Sequence, residues 1–480
     1  MERKNLIIGG NFVSPKSGAF EEVRSPFDNR VVGEVATANL EDVNAALAAA
    51  TAGFEKWRRT PAHERFAIML KAGALADERQ EEIAQIISAE NGKSLVEARG
   101  EASRSGEIIR LAAYEGSQLY GETLPLDANK GTGFDKVGFT IKQPVGVVVA
   151  ITPFNYPALL VLHKLAPALA VGNAVVLKPA RSTPLTAIAL AQCFIDAGLP
   201  EGVLSVLTGS GGLLGDALVS DKRVRKVSFT GSTKTGEHIA RVAGVKKLSL
   251  ELGASGPVIV LKDADIEYAA NSISLGGYIN AGQVCISAQR VIVEDSIMDE
   301  FLAALKPKVE AIKVGDPKGA DTKVGTLISK DEADRVAASI KTAVSQGATL
   351  LTGGEQDGAI IQPAIVTNVD PDSAFAQDEL FGPAVAVSSA RDVTHAIELA
   401  NNTVYGLGAG VFTNNMNSTI QAMREIESGV VHINWTQLWR ADLMPYGGMK
   451  ASGIGKEGLR SAVAEMTEVK TVIMHGQAWA

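Results

Sequence analysis

The chain has 480 residues, 46% hydrophobic and 21% charged, which suits an ordinary globular protein of two or three domains. A net charge of −8 argues against generic nucleic-acid binding, and two cysteines leave no disulfide framework and fit a reducing compartment. The first ten residues hold too short an apolar run for a signal peptide, and the apolar stretch 158–177 is broken by His163, Lys164, Pro167, Gly172 and Asn173, so no membrane span and a cytoplasmic location are expected. In chain order, helical periodicity predicts helices over Asn39–Ala50, Ala62–Glu78 and Arg79–Asn91, the last stopped by Gly92, and one from about Leu95 to Tyr120. Residues 134–144 alternate as an exposed strand, and Val145–Ile151 reads as a buried parallel one. Strands at Ala174–Leu177, Val203–Leu207 and Lys226–Phe229 then alternate with helices at Ala158–Val171, Pro184–Ala197 (Thr183 as cap) and Ser232–Ala243. A second run has strands near Arg290–Val293, Ala348–Leu351, Ala384–Ser388 and Gly410–Phe412. The expected fold class is α/β, with two parallel-sheet domains facing each other across a cleft.

Cys285 sits in Asn-Ala-Gly-Gln-Val-Cys-Ile-Ser, a glycine-containing turn that can present a thiol, whereas Cys193 lies in a packed helical context. A presented cysteine with a carboxylate within reach, here Glu251 of Leu-Glu-Leu-Gly, suits covalent chemistry at a carbonyl. Asn155, between a buried strand and a helix, could donate its amide N–H to an oxyanion or merely make a turn. The turn Thr230-Gly231-Ser232 ends a strand and opens a helix, a place where backbone N–H groups can meet a phosphate. Lys178 ends another strand, where nucleotides bind in such sheets. Glu379, in Asp-Glu-Leu-Phe-Gly-Pro, is unremarkable by itself. The six histidines show no metal-ligand spacing, so no metal is expected.

Together, Pro-Phe-Asn155-Tyr-Pro, Lys178-Pro-Ala, Phe-Thr-Gly231-Ser232, Leu-Glu251-Leu-Gly253, Gly-Gln-Val-Cys285, Glu379-Leu-Phe381-Gly-Pro and Pro445-Tyr-Gly-Gly-Met-Lys-Ala-Ser-Gly-Ile-Gly-Lys-Glu457 occur in one order along almost the whole chain. In this the chain resembles the NAD(P)-dependent aldehyde dehydrogenase superfamily. The resemblance implies a Rossmann-like cofactor domain (1–121 and 144–253), a catalytic domain (254–466) and a β oligomerisation arm (122–143 and 467–480). It implies Cys285 as nucleophile, Asn155 and the Cys285 N–H as oxyanion donors, and Glu251 as the base that hydrolyses a thioester. Relatives that pass the acyl group to coenzyme A typically lack that base, so a free acid is the expected product. It further implies a cofactor, NADP or NAD, held by Ile151, Thr152, Pro153, Phe154, Lys178, Ala180, Arg181, Ser182, Phe229, Thr230, Gly231, Ser232, Leu252, Gly253, Glu379 and Phe381. Arg181 stands where many NAD-preferring relatives carry a glutamate, and an arginine can pair with a 2′-phosphate. Ala254 replaces a common glycine.

Substrate-tunnel positions of the family fall on Arg104, Tyr156, His163, Ile286, Trp439, Arg440 and Tyr446. Two guanidinium groups and an imidazole suit a short aldehyde with an anionic or hydroxyl group, similar to the substrates of relatives that handle lactaldehyde, semialdehydes or glyceraldehyde 3-phosphate. Alternatively Tyr156, Trp435, Trp439 and Tyr446 form an aromatic tunnel for apolar aldehydes. The strand-like stretches Lys136–Lys142 and Glu468–Met474 fit an arm that pairs with a second subunit, giving a homodimer or homotetramer. Two rivals of other classes are a catalytically silent structural relative and a cofactor-free cysteine esterase. Intact Cys285, Glu251 and Asn155 argue against the first, and the dinucleotide motifs against the second.

Overall fold

A computed structural model describes residues 3–476. Its larger sheet runs, edge to edge, Gly453–Ile454, Lys247–Glu251, Val224–Thr230, Val147–Ile151, Ala174–Lys178, Leu204–Val206, Leu6–Ile8 and Asn11–Val13. The five strands from Lys247–Glu251 to Leu204–Val206 are parallel, and antiparallel strands close both sides. Alternation explains why these strands are apolar throughout. Val148, Ala150, Val175 and Leu177 pack into the core on one face, while Val147, Val149, Ile151, Ala174 and Val176 pack into the core on the other. The second sheet runs Thr349–Thr352, Ala364–Thr367, Ala384–Ala390, Arg290–Glu294, Pro257–Val260, Gly408–Phe412 and Val430–Ile433, parallel except for its first strand. Its faces divide likewise: Val258, Val260, Val291 and Val293 on one side, Ile259 and Ile292 on the other.

A third sheet pairs Thr467–His475 with Lys136–Pro144 antiparallel over the full length of both strands, and Thr123–Leu124 lies on the far side. Thr467–His475 is therefore an edge strand, with Val469 and Met474 exposed. Residues 477–480 of the expected arm lie outside the described residues. Among the described residues, no helix is long and apolar enough to cross a membrane.

Three expectations need correction. The helix expected from Leu95 to Tyr120 is two, Leu95–Ala102 and Ser105–Ser117, and the break leaves Arg104 at the N-terminus of the second. Thr183 holds the N-cap position of Pro184–Asp196 as expected, but its hydroxyl makes no capping bond and has no partner. The buried carboxylate of Glu90 caps that helix across the fold, accepting from Leu185 N (2.8 Å) and Thr186 N (2.9 Å). The expected strand near 348–351 is an antiparallel edge rather than a parallel member of its sheet.

Candidate active site

In the larger sheet the chain proceeds from Val147–Ile151 outward to Ala174–Lys178 and Leu204–Val206, then returns to the opposite side of Val147–Ile151 with Val224–Thr230 and Lys247–Glu251. Loops leaving the carboxyl ends on either side of that reversal splay apart and open a crevice. The expected cofactor residues sit on these ends. Ile151 to Phe154 follow the first strand, Lys178 to Ser182 the second, Phe229 to Ser232 the fourth, and Leu252 and Gly253 the fifth. Asn155 and Glu251 share the same edge. The amino edge of the second sheet faces it, preceded in the chain by Cys285, Glu379 and Phe381.

Cys285 is delivered by Asn280-Ala281-Gly282, all three left-handed (φ 50°, 55° and 71°). A Cβ at Gly282 would lie 2.1 Å from the Gly382 carbonyl, so glycine is required where the turn meets the neighbouring backbone. The turn is locked to the other half of the molecule. Asn155 Nδ2 donates to the Gln283 carbonyl (2.9 Å), and Asn280 Nδ2 donates to the Asn155 carbonyl (3.0 Å). Lys93, buried and paired with Glu101, also donates to the Asn155 carbonyl (3.0 Å) and stands over the Tyr156 ring.

Cys285, Asn155 and Glu251 line one cleft of about 690 Å³ of empty space, with Arg104, Tyr156, His163, Thr230, Ile286, Arg440, Tyr446 and Glu457 in its walls. Burial pushes the Cys285 thiol up to about 12, against a hydrogen bond from Tyr446. Burial and the nearby Glu457 raise Glu251 well above the usual carboxylate range, and neither of its oxygens has a protein partner. Gly447 makes room for it, since a Cβ there would lie 2.7 Å from Glu251 Oε1. Glu457 behaves oppositely. Burial pushes it up, but Lys164, bonded to Oε1, and Arg440 outweigh burial and hold it ionised. Two carboxyl groups in one buried site are thus driven apart, one toward acid and one toward anion.

Deeper in the wall, Arg440 lays its guanidinium over the Tyr446 ring (4.0 Å from the centroid), with Nη2 3.8 Å from Glu457 Oε2. Its Nε and Nη2 are buried without hydrogen-bond partners. Arg104 donates to Asp442 Oδ1 (2.6 Å), and His163 Nε2 lies 3.3 Å from the same oxygen. Burial and Arg440 push the His163 imidazole down to about 4, so it is neutral near neutral pH and bears one ring proton.

The cofactor edge has the fitting donor set. Ser232 caps the helix Thr233–Val242, its hydroxyl accepting from Thr235 N, and a helix N-terminus at the carboxyl end of a strand suits a phosphate. Glu379, pushed up to about 7 by burial, accepts from Ala254 N (3.1 Å). Phe381 is left-handed (φ 49°) and meets Phe154 edge-on at 5.9 Å. Strained residues of this kind collect at functional sites. Lys178 is buried, lowered to about 8 by burial, and donates to the Pro179 carbonyl (2.9 Å). Arg181 is exposed and donates to Glu21 Oε2 (2.7 Å), while Glu21 Oε1 is buried without a partner.

One expected tunnel residue is misplaced. Trp439 is 57% exposed and packs edge-on against His432, outside the cleft, because the chain turns its two neighbours Leu438 and Arg440 inward instead. Trp435 packs on Tyr268. Lys164, Asp442 and Glu457 were not singled out beforehand. Lys164 could have been, because a lysine in a helix otherwise apolar on every face must find a buried acid. Among the described residues no cluster of three or more His, Cys, Asp or Glu could hold a metal.

The model of the aldehyde dehydrogenase family matches residues 12–472. A 3-sulfolactaldehyde dehydrogenase of Priestia aryabhattai is 44% identical over 454 residues, covering 95% of this chain and 94% of that protein. A lactaldehyde dehydrogenase of Methanocaldococcus jannaschii is 38% identical over 473 residues, covering 98% of this chain and 100% of that protein. The crystal structure of an NADP-dependent glyceraldehyde-3-phosphate dehydrogenase from Bacillus halodurans, complexed with NADP, superposes with a TM-score of 0.96 at 36% identity, covering 98% of this chain and 99% of that one. The chain belongs to the aldehyde dehydrogenase family.

Proposed function

We propose that Cys285, Asn155 and Glu251 carry out the NAD(P)-dependent oxidation of a short anionic or hydroxylated aldehyde to its free acid. The Cys285 sulfur bonds to the aldehyde carbon, and the carbonyl π pair becomes an oxyanion. The second N–H of Asn155 Nδ2 and the Cys285 backbone N–H hold that charge. Bound NAD(P) supplies the hydride acceptor, leaving the acyl group on sulfur as a thioester. Water then attacks this carbon, Glu251 takes one water proton, and the carbon–sulfur bond breaks to release the acid and the Cys285 thiolate. Ser232 would meet the pyrophosphate, Lys178 the adenine ribose and Glu379 the nicotinamide ribose, with Phe381 beside the nicotinamide.

The observation that carries the substrate reading is Arg440, a buried guanidinium in the wall that also holds Cys285, with two nitrogens making no hydrogen bond and only the distant Glu457 as an ion-pair partner. A buried donor with no acceptor carries a desolvation penalty, which an anionic substrate group relieves. Carboxylate, phosphate and sulfonate all fit, and the names of the two relatives point to three-carbon hydroxyaldehydes. Arg440→Met is expected to lower kcat/KM for 3-sulfolactaldehyde or succinic semialdehyde by roughly 10–100-fold, the worth of a hydrogen bond to a charged group. Hexanal turnover should fall by less, since it loses only the Arg440 charge beside Cys285 and Tyr446 and no contact to an anionic group. Wild-type enzyme equally active on hexanal and benzaldehyde would sink the reading in favour of a broad-specificity enzyme.

NADP acceptance follows from Arg181, which would exchange Glu21 for a 2′-phosphate. Arg181→Ala should raise the KM for NADP several-fold more than that for NAD; an unchanged ratio removes Arg181 from cofactor choice. We also place the enzyme in the cytoplasm as a homodimer or homotetramer, because Thr467–His475 leaves a row of backbone groups along the edge of its sheet for a second subunit.

A further inference from the structure

Cys285 Sγ lies 3.2 Å from the Tyr446 hydroxyl. Tyr446 is 4% exposed, and its ring carries the Arg440 guanidinium on one face. Four other groups act on this sulfur: Glu251 at the end of its strand, Glu379 ahead of the second sheet, Arg440, and Tyr156 in the loop after Asn155. The two carboxyl groups and burial oppose a negative sulfur, and Arg440 favours one. The Tyr446 hydroxyl touches the sulfur itself.

We propose that Tyr446 is a catalytic residue, its hydroxyl donating a hydrogen bond to the Cys285 thiolate and so easing formation of the reactive nucleophile. The direction of the bond follows from the order of ionisation. A thiol is ordinarily more acidic than a phenol, and the bond between them lowers Cys285 and raises Tyr446, so the thiol proton leaves first and the phenol keeps its own. A neutral phenol beside a thiolate can only donate. The cation over the ring withdraws electron density and makes that O–H a stronger donor. When sulfur bonds to the carbonyl carbon its charge passes to the carbonyl oxygen, and the Tyr446 bond weakens as the Asn155 bond strengthens. The proton lost from sulfur goes to solvent or to Glu251; Tyr446 neither gains nor loses one.

The inference rests on Cys285 as the reacting group, and its test needs no aldehyde, so it stands or falls apart from the substrate reading. The probe is the rate of Cys285 alkylation by iodoacetamide in the full-length enzyme from neutral to strongly alkaline pH, with the modified peptide identified by mass to separate it from buried Cys193. Tyr446→Phe keeps the ring under Arg440 and removes only the donor. Alkylation in the rising limb should be about tenfold slower at any given pH, the profile shifting to higher pH by about one unit, as for loss of a hydrogen bond to a charged group. A profile that coincides with wild type overturns the proposal. Should the phenylalanine variant fail to fold, enzyme made with 3-fluorotyrosine, whose phenol is a stronger donor, is read instead. Its profile should move to lower pH, and an unmoved profile overturns the proposal equally.

Discussion

Cys285→Ala is expected to lower aldehyde-dependent formation of reduced nicotinamide by at least about 10⁴-fold, because removing a nucleophile removes the covalent path itself. The fold should survive. Cys285 is reached through a turn fixed by backbone and by Asn155, Asn280 and Gln283, and its own side chain contributes a single polar contact to Tyr446. Cofactor binding, read by fluorescence of the bound nicotinamide, should therefore persist. That pairing of results separates the enzyme from both rivals. A silent structural protein would form no reduced nicotinamide in wild type, and a cofactor-free esterase would hydrolyse esters without it. Alanine at 285 with appreciable residual oxidation would refute the assigned nucleophile.

Glu251→Gln should leave the first half of the reaction and stall the second. The expected pattern is a burst of about one reduced nicotinamide per site, followed by steady turnover lowered by roughly 10²–10⁴-fold, the range for loss of a general base. A mass increase on Cys285 equal to the acyl group would show where the reaction stopped. The pH dependence has a definite sign. Burial and Glu457 raise Glu251, so the unprotonated, proton-accepting form grows as pH rises, and hydrolysis should accelerate with pH in wild type. The glutamine variant should lose that dependence in steady turnover. A variant that turns over at the wild-type rate without a burst would remove Glu251 from the water step.

Much of this architecture is written in short-range pattern. Val147–Ile151 and Ala174–Lys178 are apolar on both faces, which only a sheet covered on both sides requires, and the helix before Gly92 ends in a left-handed glycine as its sequence suggests. Other elements depend on partners far along the chain. Glu90 replaces the local cap Thr183 from nearly a hundred residues away, and nothing in the sequence near either reveals it. The helix Gly211–Ser220 carries three glycines and so lacks local helical preference; packing supplies what propensity does not. Arg104 and Tyr446 reach the cleft at positions the resemblance suggests, yet Trp439 does not, because whether a loop residue points in or out is decided by its neighbours' packing. Lys164 and Glu457 show the same limit: each is an ordinary charged letter, and their bond joins positions 164 and 457.

Residues 440–457 decide how selective the thiol is. Gly453–Ile454 adds the outermost strand beside Lys247–Glu251, the Ser452 carbonyl receives Leu252 N, and Arg440, Tyr446 and Glu457 finish the wall around the nucleophile. A chain cut at residue 430 would still hold its cysteine, its amide and its base, but Glu251 would have no Glu457 beside it and Cys285 no Tyr446. Such a product would keep a thiol without the wall that selects its aldehyde.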